Sequence, residues 1–357
     1  MIKQGKVNFL IDAQWGSTGK GKLAGWLYEN SDTEIRLCIS DNMPNAGHTL
    51  VRDGKEFVLK ALPTGCFFNC ECLIGPQAVI SEAQFFKEME MVKEEMGQYP
   101  AITIHPLACI VTDEDKESET SIVKSMASTG QGSCAATVKK MWRDGTAVLA
   151  KDVPALQPYV GDTVSLLHVS LDKGQSALSE GSQGFDLSLN HGHHYPNVTS
   201  RDCLIGRMMD NAGIPVKQVG DIIASFRVFP IRVGNTENTS GPYYDDQTEL
   251  DWAYISDLLG QKVEERTTVT QRVRRVFTFS DQQTHKFCQY VRPDYAFLNF
   301  VNYYSDVSRR AEKVASIAHL LSGYGCDLAL LGTGADQKDM IHTSTEEILS
   351  KKESLFG

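Results

Sequence analysis

Near the start of the chain, a short and mostly apolar run, Val7 to Asp12, is followed by a glycine-rich stretch and a helix-compatible segment from about Lys20 to Asn30. A mostly apolar run of this length is typical of a strand buried in a parallel sheet. A second strand-like run, Ile35 to Ser40, comes next. The order of strand, loop and helix predicts an α/β unit at the beginning of the chain.

The C-terminal part shows the same alternation. Tyr295 to Val301 has the pattern of a strand, and apolar residues then recur at helical spacing from Val307 to Leu321. Gly323 suits the end of that helix, and Asp327 to Leu331 returns as a strand. A β-α-β crossover needs a parallel sheet covered by helices. We therefore predict an α/β fold with a largely parallel central sheet, helices on both faces and a phosphate loop after the first strand.

Two further segments, Ser81 to Met96 and about Thr163 to Leu178, have the amphipathic pattern of helices. No repeat, low-complexity tract or proline-rich linker divides the sequence. We therefore expect residues 1–357 to form a single domain.

The balance of charge limits the classes of function. Lys and Arg number 35 against 45 Asp and Glu, a net charge of −10, which argues against direct binding of nucleic acid or of an anionic membrane. No apolar run is long enough to span a bilayer, and the first residues show no secretory signal, so we expect a cytoplasmic protein. The nine cysteines lack paired zinc-site spacing and are expected to be reduced and mostly buried.

The glycine-rich stretch from Gln14 to Lys22 reads QWGSTGKGK. Its three glycines let backbone amides approach an anion, the following helix offers its positive N-terminus, and Lys20 and Lys22 add charge. The spacing differs from a strict G-x₄-G-K-[ST] loop, because two residues separate Gly16 from Gly19. The stretch is predicted to bind phosphate, although a turn without a ligand would also use glycines.

A polar stretch, Asp41 to Thr49, follows the second predicted strand. Its His48 lies at the carboxyl end of that strand, where an imidazole could act as an acid or electrophile on a transferring phosphate. A capped loop histidine is the alternative, and the partnership with the first loop favours the catalytic interpretation.

The segment from Arg266 to Ser280 contains four arginines and no acidic residue. Written as one extended segment, it places two threonines and two arginines on one face and apolar residues on the other: Thr268, Thr270, Arg272 and Arg274 against Val269, Val273 and Phe277. Paired arginines and hydroxyls match a carboxylate or a phosphate. A solvated strand paired with surface acids is the alternative.

Four more loops have small and hydroxyl-bearing residues suited to a phosphate, a sugar or a base edge. They are Ser128 to Gly132, Glu180 to Gly184, Tyr195 to Ser200 and Gly332 to Asp336. His191, His193 and His194 have no neighbouring carboxylate or cysteine, so a metal site is not favoured there.

Together and in order, these fragments resemble the adenylosuccinate synthetase family over most of the chain. QWGSTGKGK resembles the family's QWGDEGKGK loop, NAGHT matches its second loop, and EGSQG, YPNVTS, TTVTQRVRR and GTGADQ resemble later substrate loops. The resemblance implies phosphorylation of a purine 6-oxygen by a nucleoside triphosphate, followed by displacement of that phosphate by the amino group of aspartate.

The departures from the family pattern concern its carboxylates. Ser17 stands where the family has the aspartate thought to take the N1 proton of IMP, and Thr18 replaces the next glutamate. Asn302 stands where an aspartate reads the guanine of GTP, so an adenine nucleotide becomes a candidate donor. Val273 replaces one arginine of the arginine-rich loop.

This combination is most similar to the viral branch of the family, PurZ or 2-aminoadenylosuccinate synthetase, which acts on dGMP. The implied reaction joins dGMP and L-aspartate with ATP or dATP, giving N6-succino-2-amino-2′-deoxyadenylate, ADP or dADP, and phosphate; a viral enzyme would work in the host cytoplasm. Two alternatives stay open: an ordinary adenylosuccinate synthetase that uses IMP, and a nucleotide-binding protein without ligase activity.

The resemblance also implies roles, position by position. Catalysis would involve Ser17, Lys20 and His48, with Mg²⁺ held by Ser17 and the Gly47 carbonyl. The ATP site would comprise Gly16, Ser17, Thr18, Gly19, Lys20, Gly21, Gly47, His48, Thr49, Asn302, Gly332, Thr333 and Gly334. The dGMP site would comprise Ser17, Asn45, Ser128, Thr129, Arg143, Gln183, Thr199 and Arg272, and the aspartate site Thr268, Val269, Thr270, Arg272 and Arg274.

Two points follow from these roles. Arg143 would reach the substrate phosphate of the partner subunit, which makes a homodimer the expected assembly. The replacement of the N1 base has two explanations: Ser17 makes room for the 2-amino group, or Asp12 on the preceding strand serves as the base.

Overall fold

The computed structural model describes residues 1–120, 127, 129–267 and 271–356. Its strands are β1 (Val7–Asp12), β2 (Ile35–Ser40), β3 (His48–Arg52), β4 (Lys55–Leu59), β5 (Glu71–Ile74), β6 (Val79–Ile80), β7 (Ile102–Ile104), β8 (Cys109–Ile110), β9 (Ser176–Gly184), β10 (Val219–Arg227), β11 (Ile231–Arg232), β12 (Glu249–Leu250), β13 (Arg275–Phe277), β14 (Tyr295–Asn299), β15 (Asp327–Gly332) and β16 (Met340–His342).

The described α-helices are α1 (Lys20–Asn30), α2 (Glu82–Met96), α3 (Asp113–Ser118), α4 (Ser133–Trp142), α5 (Thr163–Asp172), α6 (Ile205–Ala212), α7 (Trp252–Leu259), α8 (Asp281–Val291), α9 (Val307–Ser322) and α10 (Thr345–Lys351). Short 3₁₀ turns span Thr64–Phe67, Ala150–Asp152, Pro154–Tyr159, Phe185–Leu187, Val216–Gln218, Val301–Tyr303 and Lys352–Leu355. Within the described ranges, no helix combines the length and the apolar character needed to cross a bilayer.

Nine strands form the central sheet in the order β16-β15-β14-β10-β1-β9-β2-β5-β7. Neighbouring strands run parallel, except that β16 is antiparallel to β15. The predicted α/β fold with a largely parallel sheet is therefore confirmed. The phosphate loop leaves β1 near the middle of the sheet, where the strands on either side, β9 and β10, can contribute neighbouring loops.

The first strand is buried throughout because both faces of the sheet are covered. Leu10 packs with Leu23 and Leu27 of α1 on one face. Phe9, which points to the opposite face, packs with Leu167 of α5 and Met208 of α6. Burial on both sides explains why the run does not alternate between apolar and polar residues.

Most predicted elements are confirmed, and the differences have local causes. The strand predicted to reach Val301 ends at Asn299, because Phe300 turns the chain with a φ of 62°. The helix predicted from Thr163 to Leu178 is wrong after Asp172, because Gly174 at a φ of 74° ends it and the following residues join β9. Gly323 follows α9 as predicted but keeps a right-handed φ of −60°.

The prediction of one extended segment from Arg266 to Ser280 is wrong. An antiparallel bridge joins Arg266 and Val273, and the Thr267 amide donates to the Arg272 carbonyl, so the chain reverses between them. The reversal removes the simple alternation of faces on which the prediction depended. Thr268, Val269 and Thr270 lie outside the described residues.

Candidate active site

The loops at the carboxyl ends of β1, β2, β9, β10, β14 and β15 gather at one edge of the sheet. In parallel α/β sheets this edge is where ligands bind. The loops that the sequence analysis singled out at the ends of these strands therefore lie in one region of the molecule. The contacts below show which of their side chains meet.

Asp12, the last residue of β1, anchors the phosphate loop. Its carboxylate accepts hydrogen bonds from the backbone amides of Gln14 (2.9 Å) and Gly16 (3.2 Å). It also accepts one from the Thr18 hydroxyl at 2.6 Å and pairs with the Lys20 ammonium at 3.1 Å. Because Asp12 has no exposed surface, the loop is wrapped around a buried negative charge that also holds Lys20.

Two loop glycines are required by close packing. A Cβ on Gly21 would lie 2.3 Å from the Thr49 carbonyl oxygen, so the first turn of α1 touches the second loop. A Cβ on Gly19 would lie 2.1 Å from the Asn299 side chain, and Gly19 has a φ of 94°. Asn299 in turn donates to the Thr18 carbonyl at 3.2 Å. The glycines therefore bring β1, β3 and β14 together.

His48 lies in a pair with the buried carboxylate of Glu180. Nδ1 of the imidazole is 3.3 Å from Glu180 Oε2, and the Thr64 amide and the Tyr28 hydroxyl also bind that carboxylate at 2.9 Å each. Burial alone would raise the pKa of Glu180, but the hydrogen bond and the charge of His48 hold this pKa below its ordinary value. The carboxylate is thus ionised and fixes the histidine through Nδ1, which leaves Nε2 for a ligand.

A cavity of about 450 Å³ lies beside these loops. Asn45, Thr129, Gln183 and Thr199, all predicted to hold the nucleotide substrate, line it. Gln183 Nε2 donates to Asn45 Oδ1 at 3.0 Å, which joins the loops after β9 and β2. Ser128, predicted for the same site, lies outside the described residues.

The cavity wall contains buried polar atoms without a partner among the described residues. They are Trp15 Nε1, Thr199 Oγ1 and Ser133 Oγ. A buried donor or hydroxyl that lacks a partner costs free energy, so each of these atoms suits a ligand with polar groups. The size of the cavity and its polar atoms fit a phosphorylated nucleoside.

The arginine-rich hairpin closes over the phosphate loop. Arg274 Nη1 donates to the Ser17 hydroxyl at 2.8 Å. Arg272 donates to the Ala127 carbonyl at 3.0 Å, and Ala127 is part of the cavity wall. Two of the five residues predicted to bind aspartate therefore lie between the loop and the cavity, and the other three are outside the described residues.

A second region lies beyond α1, around Asn302 and the turn from Gly332 to Gly334. Asn302 Oδ1 is buried and has no hydrogen-bond partner among the described residues. The Lys22 ammonium donates to the carbonyls of Gly334 and Asp339, both at 2.8 Å, and burial lowers its pKa to about 8. Lys22 therefore ties α1 to this turn, and the expectation that it adds charge to the phosphate loop is wrong.

Arg143 does not reach the cavity of its own chain. It caps the C-terminal end of α4 with a φ of 60° and is exposed. The two residues before it, Met141 and Trp142, are 71% and 66% exposed. Four of the other residues predicted to bind dGMP line the cavity, whereas Arg143, Ser17 and Arg272 are not among its described lining residues.

Sequence reasoning gave no role to Glu180 and left Asp12 as a candidate base. Glu180 opens the EGSQG motif, and an acidic residue at the start of this glycine- and serine-rich motif is the local signal that could have identified it. Trp15 was also missed, although it is part of the first motif.

Comparison with known proteins gives a family. The adenylosuccinate synthetase family model matches residues 9–151 and 149–298. An N6-succino-2-amino-2′-deoxyadenylate synthase from Vibrio phage phiVC8 is 42% identical over 84% of this chain and 87% of the phage protein. An adenylosuccinate synthetase from Archaeoglobus fulgidus is 33% identical over 75% of each chain.

A solved structure extends the similarity to the whole chain. It is the Cyanophage S-2L succinoaminodeoxyadenylate synthetase, PurZ, bound to dGMP and to dATP as an energy donor. It is 30% identical, covers 99% of this chain and 100% of its own, and has a TM-score of 0.84. The order of the motifs along the sequence, the family model and these matches together show that the chain belongs to the adenylosuccinate synthetase family.

Proposed function

We propose that this ligase joins L-aspartate to C6 of dGMP, with ATP or dATP as phosphoryl donor, and forms N6-succino-2-amino-2′-deoxyadenylate. The observation that carries the choice of dGMP is Ser17, a small hydroxyl beside Arg274 where the family presents a carboxylate. The two phage synthases support the choice, since one is 42% identical and the other is described as bound to dGMP and dATP.

In the first step, the purine 6-oxygen attacks the γ-phosphorus of the donor, the nucleoside diphosphate leaves, and the N1 proton of dGMP is released to solvent water. The amides of the phosphate loop and Lys20 would stabilise the charge on the transferring group. His48, held through Nδ1 by Glu180, would donate a hydrogen bond from Nε2 to that group. Donation from Nδ1 to Glu180 and from Nε2 to the phosphoryl group at the same time requires the imidazolium form of the ring.

In the second step, the amino group of aspartate attacks C6 and inorganic phosphate leaves. Arg272 and Arg274 would bind the aspartate carboxylates, because guanidinium groups pair with carboxylates through two parallel hydrogen bonds. The Arg274 contact with Ser17 supports this placement, since it sets the amino acid beside the loop that holds the phosphoryl group. Thr268, Val269 and Thr270 remain proposed contacts of aspartate on the strength of the family resemblance.

Asp12 is assigned a positioning role and is not proposed as the base for N1. Its two carboxylate oxygens already accept from the Gln14 and Gly16 amides, the Thr18 hydroxyl and Lys20. A buried carboxylate that already accepts from this set of donors has no open side for a purine. The remaining explanation for Ser17 is that its small side chain makes room for the 2-amino group.

Magnesium ions in nucleotide enzymes are bound by oxygen ligands, and several of these come from the phosphates. In the part of the chain that the structure describes, no group of three His, Cys, Asp or Glu side chains is placed to hold a metal. The Gly47 carbonyl fits a magnesium ion bound mainly by the nucleotide, whereas Ser17 Oγ would first have to give up Arg274. Bound magnesium would neutralise charge on the transferring phosphoryl group.

The donor base would lie between Asn302 and the turn from Gly332 to Gly334. A carboxamide offers one acceptor and one donor face, which complements the N6 amine and N1 of adenine. Guanine presents two donors, N1–H and N2–H, and needs two acceptors. The unpartnered Asn302 Oδ1 therefore supports ATP or dATP over GTP.

The active assembly is proposed to be a homodimer. Exposed Met141 and Trp142 precede Arg143 at the end of α4, and large exposed apolar side chains of this kind are typical of protein interfaces. Pairing of two chains through this end of α4 would cover these side chains. It would also allow Arg143 to reach the substrate phosphate bound by the partner.

The proposed reaction is tested by incubating the protein with L-aspartate, ATP and magnesium, together with dGMP in one set and IMP in another. We expect phosphate release that requires aspartate and dGMP, with a product whose mass equals dGMP plus aspartate minus water. Turnover with IMP alone would favour an ordinary adenylosuccinate synthetase. Nucleotide binding without aspartate-dependent phosphate release would favour a protein that only binds nucleotides.

A further inference from the structure

A buried arginine, Arg227, lies beneath the three loops to which the proposed substrates are assigned. It ends β10, and its side chain has no exposed surface. Its Nη1 donates to the Ser17 carbonyl at 3.1 Å. The same guanidinium forms a two-pronged pair with the carboxylate of Glu265, which begins the arginine-rich hairpin.

The other side of this pair touches the short 3₁₀ turn Val301–Tyr303, which contains Asn302 and is called the donor-base turn below. The hydroxyl of Tyr303 donates to Glu265 at 2.9 Å. The ring of Phe300 lies 4.1 Å from the Arg227 guanidinium, measured to the ring centre. Asn302, which is proposed to bind the adenine of the donor, lies between these two aromatic residues in the sequence. A shift of this turn therefore acts directly on the ion pair.

Ser17 receives contacts from the network on two sides. Arg227 binds its carbonyl, and Arg274 binds its hydroxyl. The Arg274 amide also donates to the Glu265 carbonyl at 2.9 Å, so both arginines depend on the same residue. Ser17 has a φ of 57°, a conformation that costs free energy for a residue with a side chain and persists only where its surroundings hold it.

We propose that Arg227 and Glu265 are positioning residues that couple the donor-base turn to Ser17, so that binding of the nucleoside triphosphate sets the dGMP site. The inference rests on the proposed function, because it uses the assigned places of the donor and of dGMP. Coupling of this kind requires an element that both sites contact, and the ion pair touches the phosphate loop, the hairpin and the turn together.

A purely structural ion pair would stabilise the fold and leave the two ligands independent. The distinguishing quantity is therefore the factor by which one ligand tightens the binding of the other. Tyr303 and Tyr304 offer a matched comparison, because they are adjacent tyrosines and, among the described residues, the hydroxyl of Tyr303 binds Glu265 whereas that of Tyr304 does not.

The experiment measures dGMP binding by titration calorimetry, with and without a non-hydrolysable ATP analogue and magnesium. For the unchanged protein we expect the analogue to tighten dGMP binding about 10-fold, within the range of measured couplings. In Glu265→Gln and Tyr303→Phe the factor should fall below about 2-fold, whereas Tyr304→Phe should keep the original factor. The melting temperature of each variant is recorded alongside.

Two results would overturn the inference. One is a folded Tyr303→Phe or Glu265→Gln protein in which the analogue tightens dGMP binding as it does in the unchanged protein. The other is an unchanged protein that ligates dGMP and aspartate but binds dGMP and the analogue independently, which leaves the proposed function intact. An unchanged protein that binds no dGMP would refute the proposed function and the coupling together. If Glu265→Gln does not fold, Tyr303→Phe alone decides.

Discussion

Residue 17 carries the proposed substrate assignment because its hydroxyl, although exposed, meets a guanidinium. Arg274 donates to Ser17 Oγ at 2.8 Å, and Ser17 has a left-handed φ of 57°. A carboxylate in this place would pair with Arg274 and take up the space beside the cavity. The serine therefore leaves both the arginine and a small volume available to substrates.

Replacing Ser17 by Asp should move substrate preference from dGMP toward IMP. The new carboxylate would crowd the 2-amino group and supply a base for the N1 proton, so we expect turnover with dGMP to fall about 10-fold or more and some turnover with IMP to appear. Steady-state phosphate release with each nucleotide measures the change. The isosteric but uncharged Ser17→Asn is the control. Unchanged dGMP activity in Ser17→Asp, with none on IMP, would contradict the assignment.

Glu180 is predicted to act through His48. In Glu180→Gln the imidazole loses its ionised partner, so kcat should fall about 100-fold while KM for dGMP changes little. Because the folded pKa of Glu180 is lowered, its contribution to stability is present above the ordinary pKa and is lost as pH falls below about 4.3 and through the folded value. Denaturant unfolding across this range should be less dependent on pH in the variant.

The control for Glu180 is Tyr28→Phe. It removes one hydroxyl that donates to the same carboxylate at 2.9 Å and leaves the His48 contact in place. Its kcat should stay near that of the unchanged protein. An equal loss in both variants would mean that burial of the carboxylate, and not its contact with His48, is what matters.

Asn302 is predicted to select the donor base. Asn302→Asp restores two acceptors for guanine N1–H and N2–H, so the ratio of kcat/KM for GTP over that for ATP should rise about 10-fold or more. Asn302→Ala serves as the control, since it should lose ATP selectivity without a gain for GTP. A GTP preference already present in the unchanged protein would refute this role of Asn302.

At the scale of elements, the strands and helices with strong apolar periodicity were predictable, and their connections were less so. The ends of β1, α1 and β2 agree with the prediction because each is bounded by a polar or glycine-rich loop. The boundary between α5 and β9 was not predicted, because Ala177 and Leu178 continue a helical pattern in the sequence while they pair with β1 in the sheet. Long-range pairing decided that boundary.

The candidate site also contains residues that the sequence could predict and residues that it could not. Asn45, Thr129, Gln183 and Thr199 came from loops with recognisable composition, and all four line one cavity. Arg227 could not be found in this way, because it ends a buried strand and its partner Glu265 is 38 residues away. Contacts between distant residues of this kind leave no local pattern in a sequence.

The phosphate loop as an element is predicted to depend on Asp12. Asp12→Asn removes the charge that holds Lys20, and breaking a buried pair of this kind costs about 3 kcal/mol of unfolding free energy. KM for ATP should rise as well, because the loop amides lose their anchor. Urea unfolding and steady-state kinetics measure the two effects.

Asp53→Asn is the comparison for Asp12. Asp53 pairs with Lys338 at the surface, where both side chains are 66% exposed, so its replacement should change stability little. If Asp12→Asn behaved like Asp53→Asn in both measurements, the anchor role of Asp12 would be refuted.

At the scale of the whole molecule, the proposed homodimer would add Arg143 to a cavity that its own chain already lines with one arginine, Arg232. Arg143 is exposed at the end of α4 in a left-handed cap, and it is not among the described residues that line the cavity. The exposed side chains of Met141 and Trp142 lie next to it. We propose that a second chain, paired through this end of α4, brings its Arg143 to the cavity.

Mixing two inactive variants tests this arrangement. Arg143→Ala lacks the arginine given to the partner, and His48→Ala lacks the catalytic histidine, so each homodimer should be inactive. If chains exchange at random, half of the dimers are mixed and each contains one intact site, so an equimolar mixture should recover about one quarter of the original activity. Sedimentation of each variant shows whether it still dimerises. Failure of the mixture to recover activity, with dimers intact and exchanging, would mean that Arg143 serves the chain that carries it or serves no substrate.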